Sequence, residues 1–126
     1  MKKILIIDDE LKLRETMSDF FSLLNYVVLE AKNGIEGLQK AKENIPHLII
    51  CDVNMPFLNG YEFLAEHQKS NFSNIPVILL SAKTESENQR KGIELGAKAY
   101  VTKPFAIKEL KKIVDFCLNP EANSFI

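Results

Sequence analysis

Residues 48–51 read Leu-Ile-Ile-Cys, a short and continuous apolar run, and Asp52 follows it directly. Four further apolar runs of similar length occupy residues 4–7, 26–29, 77–80 and 99–101. Most of these runs lack the apolar–polar alternation of a sheet with one solvated face, so they predict parallel strands covered by helices on both sides. The runs recur at roughly even intervals, which leaves room for one helix after each strand.

The segments between the runs have the spacing of amphipathic helices. Apolar stripes with helical periodicity are formed in the first segment by Leu13, Met17, Phe20, Phe21 and Leu24, and in the last segment by Ile107, Leu110, Ile113, Val114 and Cys117. Capping-box spacing indicates two helix starts, at Asn33 followed by Glu36 and at Thr84 followed by Glu87. Because crossovers between parallel strands are right-handed, the alternation predicts an α/β fold, a doubly wound (βα)5 domain with a five-stranded parallel sheet.

Composition excludes several classes of protein. The length of 126 residues corresponds to one domain. A net charge of -1 and a pI of about 6.1 are not the basic footprint of a nucleic-acid-binding domain. Cys51 and Cys117 are too few for a disulfide framework or a zinc site, which indicates a reducing compartment. The apolar run after Lys2 and Lys3 is too short for a signal peptide or a membrane span, so we expect a cytoplasmic protein with no membrane contact.

Polar functional groups follow four of the five predicted strands: Asp8 and Asp9 after the first, Asp52 after the third, Ser81 after the fourth and Lys103 after the fifth. In open α/β sheets, ligands bind outside the carboxyl ends of the strands. Taken singly, each of these residues is explained as well by helix capping, by a snorkelling lysine or by an ordinary polar loop. The set as a whole favours a binding or catalytic site.

The three carboxylates of this set need positive charge to stay together. Each close pair repels by about 4 kcal/mol at a separation of about 4 Å and an effective dielectric constant of about 20. Lys103 supplies one positive charge, and a divalent cation would supply the remainder. Oxygen donors without histidine suit Mg²⁺, and a carboxylate beside Mg²⁺ can act as a nucleophile toward a phosphoryl group.

Other kinds of phosphate chemistry lack their motifs in this chain. The sequence contains no G-x-x-x-x-G-K-[ST] loop, and Gly34 and Gly37 do not form G-x-G-x-x-G. Asn54 stands where a haloacid-dehalogenase-like phosphatase would carry its acid, two residues after the nucleophile. Turnover of an external phosphoester is therefore disfavoured.

With these residues in place, the chain resembles the receiver domain of two-component response regulators over residues 3–118, with residues 119–126 as a C-terminal tail or a truncated linker. The resemblance rests on motifs that fit in spacing and order: Ile6-Ile7-Asp8-Asp9-Glu10, Asp52-Val53-Asn54-Met55-Pro56 followed by Asn59-Gly60, Leu80-Ser81-Ala82, Gly96-Ala97, and Tyr100-Val101-Thr102-Lys103-Pro104-Phe105. It implies the flavodoxin-like receiver fold with strand order 2-1-3-4-5, which the residues alone leave undetermined. It also implies a cis peptide bond before Pro104.

The resemblance assigns roles to the residues at the strand ends. Asp52 would be the phosphoacceptor. Asp9 and Asp52 would bind Mg²⁺ together with the backbone carbonyl of Asn54, and Asp8 would assist through water. Lys103 and Ser81 would act on the phosphoryl group, and Ser81 and Tyr100 would be the switch residues.

The implied function is a phosphorylation-activated signalling switch of a two-component system or phosphorelay. Such a domain is not an enzyme in the usual sense, because it catalyses only its own aspartyl phosphorylation and dephosphorylation. Its partners would be a sensor histidine kinase or histidine phosphotransfer protein and an unknown effector or output domain, and it would be a monomer or a phosphorylation-dependent dimer. Candidate exposed positions for recognition of the kinase lie on the first helix: Leu11, Lys12, Arg14, Glu15 and Ser18.

Two alternatives stay open. One is a receiver-like interaction module that works without phosphorylation, against which the intact acidic set, Ser81 and Lys103 argue. The other, more distant, is a Mg²⁺-dependent phosphohydrolase, which the missing acid at Asn54 disfavours.

Overall fold

The structure, a computed structural model, describes residues 1–82 and 86–119, and of residues 86–89 it describes only the backbone. Five strands alternate with five helices in these ranges: β1 (Lys3–Ile7), α1 (Leu11–Leu23), β2 (Val27–Ala31), α2 (Gly34–Asn44), β3 (Leu48–Asp52), α3 (Gly60–Gln68), β4 (Val77–Ala82), α4 (Ser86–Glu94), β5 (Ala99–Lys103) and α5 (Ile107–Leu118). The predicted tail lies outside the described residues except for Asn119. In the described part of the chain, no helix has both the length and the apolarity needed to cross a lipid bilayer.

The strands form one parallel sheet in the order β2-β1-β3-β4-β5. This confirms both the predicted α/β class and the strand order that the resemblance implied. The central strand β3 is buried at every residue, as its continuous apolar run requires, whereas β2 lies at an edge and begins with the exposed Val27. Four strands extend past their apolar runs into polar residues, because the backbone ladder continues through Glu30 opposite Ile6, through Asp52 opposite Leu80 and through Ala82 opposite Lys103.

Alternate residues of each strand face opposite layers of helices. Ile4 and Ile6 of β1 join a core with Met17 and Phe21 of α1 and with side chains of α5. Leu5 and Ile7 join a second core with Phe63 and Leu64 of α3 and with side chains that flank α4. The helices of the two layers therefore cover both faces of the sheet, as the crossovers of a doubly wound fold require.

Two helices of the α2–α3 layer begin at capping asparagines. The side chain of Asn33 accepts a hydrogen bond from the backbone N–H of Glu36 at 2.8 Å, which confirms the predicted start of α2. A complete capping box lies at Asn59, where none was predicted: Asn59 accepts from Glu62 N–H and Glu62 accepts from Asn59 N–H, both at 2.9 Å. The predicted box at Thr84 and Glu87 lies outside the described residues.

Gly60 lets the start of α3 touch the end of β3. Its N–H donates to the carbonyl of Val53 at 2.8 Å. A Cβ atom at this position would lie 2.5 Å from the carbonyl oxygen of Asp52 and 2.7 Å from the Cα of Val53. A side chain at position 60 would therefore force the backbone of Asp52, at the end of β3, to move.

We predict that Gly60→Ala destabilises the protein by about 1–3 kcal/mol, because the backbone of β3 cannot move aside as a side chain can. Gly37→Ala is the matched control. Its Cβ would lie 2.4 Å from Cδ1 and 3.0 Å from Cγ1 of the buried Ile7 side chain, so a side chain rather than backbone has to shift, and alanine gains up to about 1 kcal/mol of helix propensity. Urea unfolding measures the loss of stability in each variant. We expect the larger loss in Gly60→Ala, and an equal or smaller loss there than in Gly37→Ala would contradict this prediction.

Ser18 is buried, contrary to its prediction as an exposed recognition position. It precedes Phe21 by three residues and so lies on the same face of α1 as the buried apolar stripe. Its hydroxyl has no hydrogen-bond partner among the described residues. A buried hydroxyl without a partner costs about 1–3 kcal/mol of desolvation.

Ser18→Ala should therefore stabilise the fold by about 1 kcal/mol, since it removes the unpaired hydroxyl and adds helix propensity. Ser22→Ala, at an exposed position of the same helix, gains only the propensity, a few tenths of a kcal/mol. Thermal or urea unfolding of both variants measures the difference, and a loss of stability in Ser18→Ala would refute this explanation.

Candidate functional site

The carboxyl ends of β1 and β3 bring two buried carboxylates side by side. Ile7 pairs with Cys51 in the ladder, so Asp8 and Asp52 leave the sheet at the same level. Asp8 is fully buried and Asp52 is 4% exposed, whereas Asp9 is exposed. One carboxylate oxygen from each of the three lies within 4.8 Å of the others. We call Asp8, Asp9 and Asp52 the acidic site.

Lys103, at the end of β5, reaches both buried carboxylates. Its Nζ lies 3.2 Å from Asp52 Oδ1 and 3.4 Å from Asp8 Oδ2. Burial alone would lower the pKa of Lys103, but the charges of Asp52 and Asp8 outweigh it and raise that pKa. The lysine is therefore a fixed positive charge between the two carboxylates, and the peptide bond that follows it, Lys103-Pro104, is cis as the resemblance implied.

Burial raises the pKa values of both buried carboxyl groups. For Asp52 the pKa rises from 3.8 to about 6, first because of burial and then because of the charge of Asp8, against the opposing effect of Lys103. For Asp8 burial again raises the pKa, while the N–H of Glu10 and the charge of Lys103 lower it. The charge of Lys103 therefore does not fully compensate for the burial and mutual repulsion of the two carboxylates, and additional positive charge would stabilise the site.

Asp8 is held by hydrogen bonds from three directions besides Lys103. Its N–H donates to Ala31 O at 3.1 Å, and its Oδ1 accepts from Glu10 N–H at 2.9 Å. Its carbonyl oxygen accepts from Arg14 Nη1 at 2.7 Å. The end of β1 is thus fixed to β2 and to α1.

Arg14 was predicted to be an exposed position of the first helix, and this was wrong. Its side chain is only 15% exposed, since it lies along the end of β1 and donates through Nε to Glu30 at 2.9 Å. Leu11, Lys12 and Glu15 are exposed as predicted. No spacing rule could have found the contact of Arg14, because it joins a side chain to a backbone carbonyl beyond the end of a strand.

The remaining predicted site residues lie around the acidic site. Ser81 is fully buried on β4, next to the strand that carries Lys103. Asn54 is exposed in the loop two residues after Asp52. Tyr100 lies partly buried on β5, and its hydroxyl shares a hydrogen bond of 3.2 Å with the hydroxyl of Tyr61 on α3. Tyr61 was not predicted to be the partner of Tyr100.

Cys51 and His67 are core residues. Burial raises the pKa of the Cys51 thiol well above its usual value, with the charges of Asp52 and Asp8 adding to the shift, and the thiol donates to Asp52 O at 3.3 Å. His67 stacks on Phe63, and its Nε2 lies 3.0 Å from the carbonyl oxygen of Ile75. Cys51 is therefore a strand-core thiol, and His67 belongs to the packing of α3.

The donor set of the acidic site fits a hard divalent cation. Its side chains offer carboxylate oxygens, which suit Mg²⁺ better than Zn²⁺ or copper. Two of the carboxylates are buried and share one lysine, so they are arranged before any cation arrives. The exposed Asp9 borders the site on the solvent side.

A sequence model of the family described as "Response regulator receiver domain" matches residues 4–115. The chain belongs to this family. Receiver domains are regulatory domains of two-component signalling rather than classical enzymes. The match includes each strand end of the acidic site, Lys103, Ser81 and Tyr100.

Curated relatives and solved structures agree with this family. The chain is 39% identical over 110 residues to "Probable transcriptional regulator ycf27" of Porphyridium aerugineum, covering 87% of the chain and 45% of that protein. It is 43% identical over 110 residues to "Transcriptional regulatory protein CpxR homolog" of Haemophilus influenzae, covering 87% of the chain and 47% of that protein. The chain thus spans slightly less than half the length of these relatives.

Two receiver structures superpose on nearly the whole chain. The receiver domain of the Francisella response regulator 1452 has a TM-score of 0.89 at 33% identity and covers 96% of this chain and 99% of its own. The chemotaxis response regulator CheY4 of Vibrio cholerae has a TM-score of 0.88 at 32% identity and covers 94% of this chain and 99% of its own. The receiver fold therefore accounts for almost every described residue.

The raised pKa of Asp52 predicts how stability depends on pH. The folded protein takes up a proton at Asp52 near pH 6, whereas the unfolded chain does so near 3.8, so this carboxyl destabilises the fold above pH 6 and the penalty disappears as the pH falls toward 4. In a buffer with EDTA, Asp52→Asn should be more stable than the wild type by about 1–3 kcal/mol at pH 7.5. The gap should narrow at pH 4.5.

Urea unfolding of both proteins at the two pH values measures this gap. The control is Asp19→Asn, which removes a carboxylate from an exposed position of α1. If the difference in stability between Asp52→Asn and the wild type is the same at both pH values, the ionisation of Asp52 is not what destabilises the fold.

Proposed function

We propose that this receiver domain is a phosphorylation-activated signalling switch in which Asp52 accepts a phosphoryl group from a phosphohistidine donor with the help of Mg²⁺. The observation that carries the proposal is the convergence of Asp52, Asp8 and Lys103, with contacts of 3.2 and 3.4 Å to the lysine. Two buried carboxylates with one lysine are costly for a fold that makes no use of them.

Asp52 has the properties of the nucleophile. With a pKa of about 6, its carboxyl group is mostly ionised at neutral pH, and its side chain opens toward the acidic site rather than into the apolar core. One of its oxygens forms a bond to phosphorus while the bond between phosphorus and the donor's imidazole nitrogen breaks. The nitrogen keeps the bonding electron pair and takes up a proton.

Lys103 and Ser81 stabilise the phosphoryl group. The ammonium of Lys103 already lies beside Asp52 and pairs with a phosphoryl oxygen that arrives there. The hydroxyl of Ser81, on the neighbouring strand, donates a hydrogen bond to a second oxygen. These roles follow the resemblance and the positions of both residues at the ends of adjacent strands.

The carboxylates of Asp9 and Asp52 and the backbone carbonyl of Asn54 would hold Mg²⁺, with Asp8 assisting through water. When bound, the ion supplies positive charge beside the transferring oxygens. The fit of three carboxylates within 4.8 Å of one another supports this assignment.

Residues 3–118 form the receiver unit in this proposal, and residues 119–126 are a tail or the start of a linker. The donor is a sensor histidine kinase or a histidine phosphotransfer protein, and the output is a partner-binding surface that changes when Ser81 and Tyr100 respond to the phosphoryl group. The similar proteins include transcriptional regulators almost twice as long as this chain and a chemotaxis response regulator of similar length. In this proposal the receiver unit receives the phosphoryl signal, and the output it controls is left open.

The central prediction is that incubation with Mg²⁺ and a small acyl phosphate adds one phosphoryl group to the wild type and none to Asp52→Asn. Intact-protein mass spectrometry measures the product directly. Omission of Mg²⁺ should abolish the reaction, and Lys103→Met should slow it by at least about tenfold, because the charge that faces the phosphoryl group is lost.

Asp19→Asn, at an exposed position of α1, is the matched control and should react like the wild type. Phosphorylation of Asp52→Asn to the same extent would refute the assignment of the phosphoacceptor. A wild type that binds Mg²⁺ but gains no phosphoryl group from an acyl phosphate or a panel of histidine kinases would favour the phosphorylation-independent module. Multiple turnover of a generic phosphomonoester would favour the hydrolase.

A further inference from the structure

Arg14 and Glu30 form a charged pair beside the acidic site that the proposed function does not yet use. Arg14 belongs to the first turn of α1, where its backbone N–H donates to Glu10 O at 3.0 Å. Side chains in helices lean toward the N-terminus of the helix, so the guanidinium reaches back to Asp8, six residues earlier. There it donates to the carbonyl oxygen of Asp8 at 2.7 Å.

The bonded carbonyl belongs to the peptide group that joins Asp8 to Asp9. This carbonyl lies beyond the end of β1, at Ile7, where the strand no longer fixes the backbone. Because a peptide group is planar, a fixed carbonyl oxygen also fixes the direction in which the chain enters Asp9. Asp9 is exposed, unlike Asp8 and Asp52, so the packing of the core does little to orient it.

Glu30 fixes the guanidinium in turn. Its Oε1 accepts from Arg14 Nε at 2.9 Å, so the flat guanidinium bridges a carboxylate of β2 and a carbonyl at the end of β1. Two acceptors on different edges of one planar fork define its orientation, which a lysine ammonium could not do. The backbone carbonyl of Glu30 is itself held by Lys40 of α2.

The contacts of Arg14 point to a geometric role rather than an electrostatic one. The charge of Arg14 is paired with that of Glu30, and Arg14 contacts Asp8 through the backbone carbonyl. What Arg14 supplies is geometry.

We infer that Arg14, oriented by Glu30, is a positioning residue that fixes the Asp8–Asp9 peptide so that the Asp9 carboxylate is directed into the Mg²⁺ site. The inference rests on the proposed function, since it assigns Asp9 as a ligand of Mg²⁺. It adds Arg14 and Glu30 to the residues that determine the affinity of the receiver domain for the cation.

The test is a titration of the folded protein with MgCl₂, followed by backbone amide chemical shifts, in wild type and variants. Arg14→Met should raise the dissociation constant for Mg²⁺ about tenfold, the usual effect of removing a group that orients a metal ligand. Arg14→Lys should not restore the affinity, because one ammonium cannot bridge both acceptors. Glu30→Gln keeps an acceptor oxygen and the backbone contact with Lys40, so it should weaken binding by only about threefold.

Arg90→Met is the matched control, because Arg90 is exposed on α4 and should leave the affinity unchanged. Unfolding in EDTA separates positioning from a merely structural role, which would lower stability but leave the dissociation constant of the folded protein unchanged. The reaction with an acyl phosphate supplies a second readout. In Arg14→Met, half-maximal rate should need about tenfold more Mg²⁺, while the rate at saturating Mg²⁺ recovers most of the wild-type value.

Affinities of folded Arg14→Met and Arg14→Lys within twofold of the wild type would overturn the inference while the proposed function stands. If Arg14→Met does not fold, Arg14→Lys and Glu30→Gln decide the question by the same criterion. A wild type that binds no Mg²⁺ would overturn both the inference and the proposed use of Mg²⁺.

Discussion

The burial of two carboxylates around one ammonium is the constraint on which the rest of the structure depends. Asp8 and Asp52 lie side by side because β1 and β3 are neighbours in register, and Lys103 is the cation that bonds to both. Taking such charges out of water costs several kcal/mol each unless hydrogen bonds and opposite charges replace the water. The raised pKa of Asp52 shows that the replacement is incomplete, and the strand ends must be held in place against this repulsion.

The loops that follow the strands provide this hold. The backbone of Asp8 is bonded to β2 and to Arg14, and its carboxylate to the N–H of Glu10. Beyond Asp52, α3 begins against the end of β3, because Gly60 has no side chain and Asn59 caps the first turn. The residues that bear charge are therefore placed by rigid backbone contacts, and only the exposed Asp9 depends on the single peptide bond that Arg14 holds.

The fold was predictable because parallel strands buried on both faces leave a continuous apolar run, which is visible in residues 48–51 without knowledge of their neighbours. The candidate site was predictable because strand ends of a parallel sheet meet at one edge. The polar residues that extend β2, β3, β4 and β5 were not assigned to strands, since their ladder bonds depend on pairing and not on hydropathy. Contacts between distant segments depend on the register and packing of whole elements, as for Arg14 with Glu30 and Tyr61 with Tyr100. Ser18 was wrongly predicted to be exposed because the sequence does not distinguish a serine at the flank of a buried stripe from an exposed serine.

The path from the acidic site to the surface follows β5, which carries both Lys103 and Tyr100. The ring of Tyr100 lies against α4 at Gly92, where an added Cβ atom would come within 3.3 Å of the ring. The hydroxyl of Tyr100 shares a hydrogen bond with the hydroxyl of Tyr61. The ammonium of Lys91 on α4 lies over the ring of Tyr61, 5.1 Å from its centroid. Ile93 of α4 is exposed, while Leu95 just after the helix packs on the core. A helix held by so few apolar side chains in its described part is displaced at lower cost than α3 or α5. If Asp52 is phosphorylated as proposed, the new negative charge would attract the ammonium of Lys103. A movement of that strand end would reach Tyr100, three residues away, so α4 would be the element that reports the state of the receiver domain.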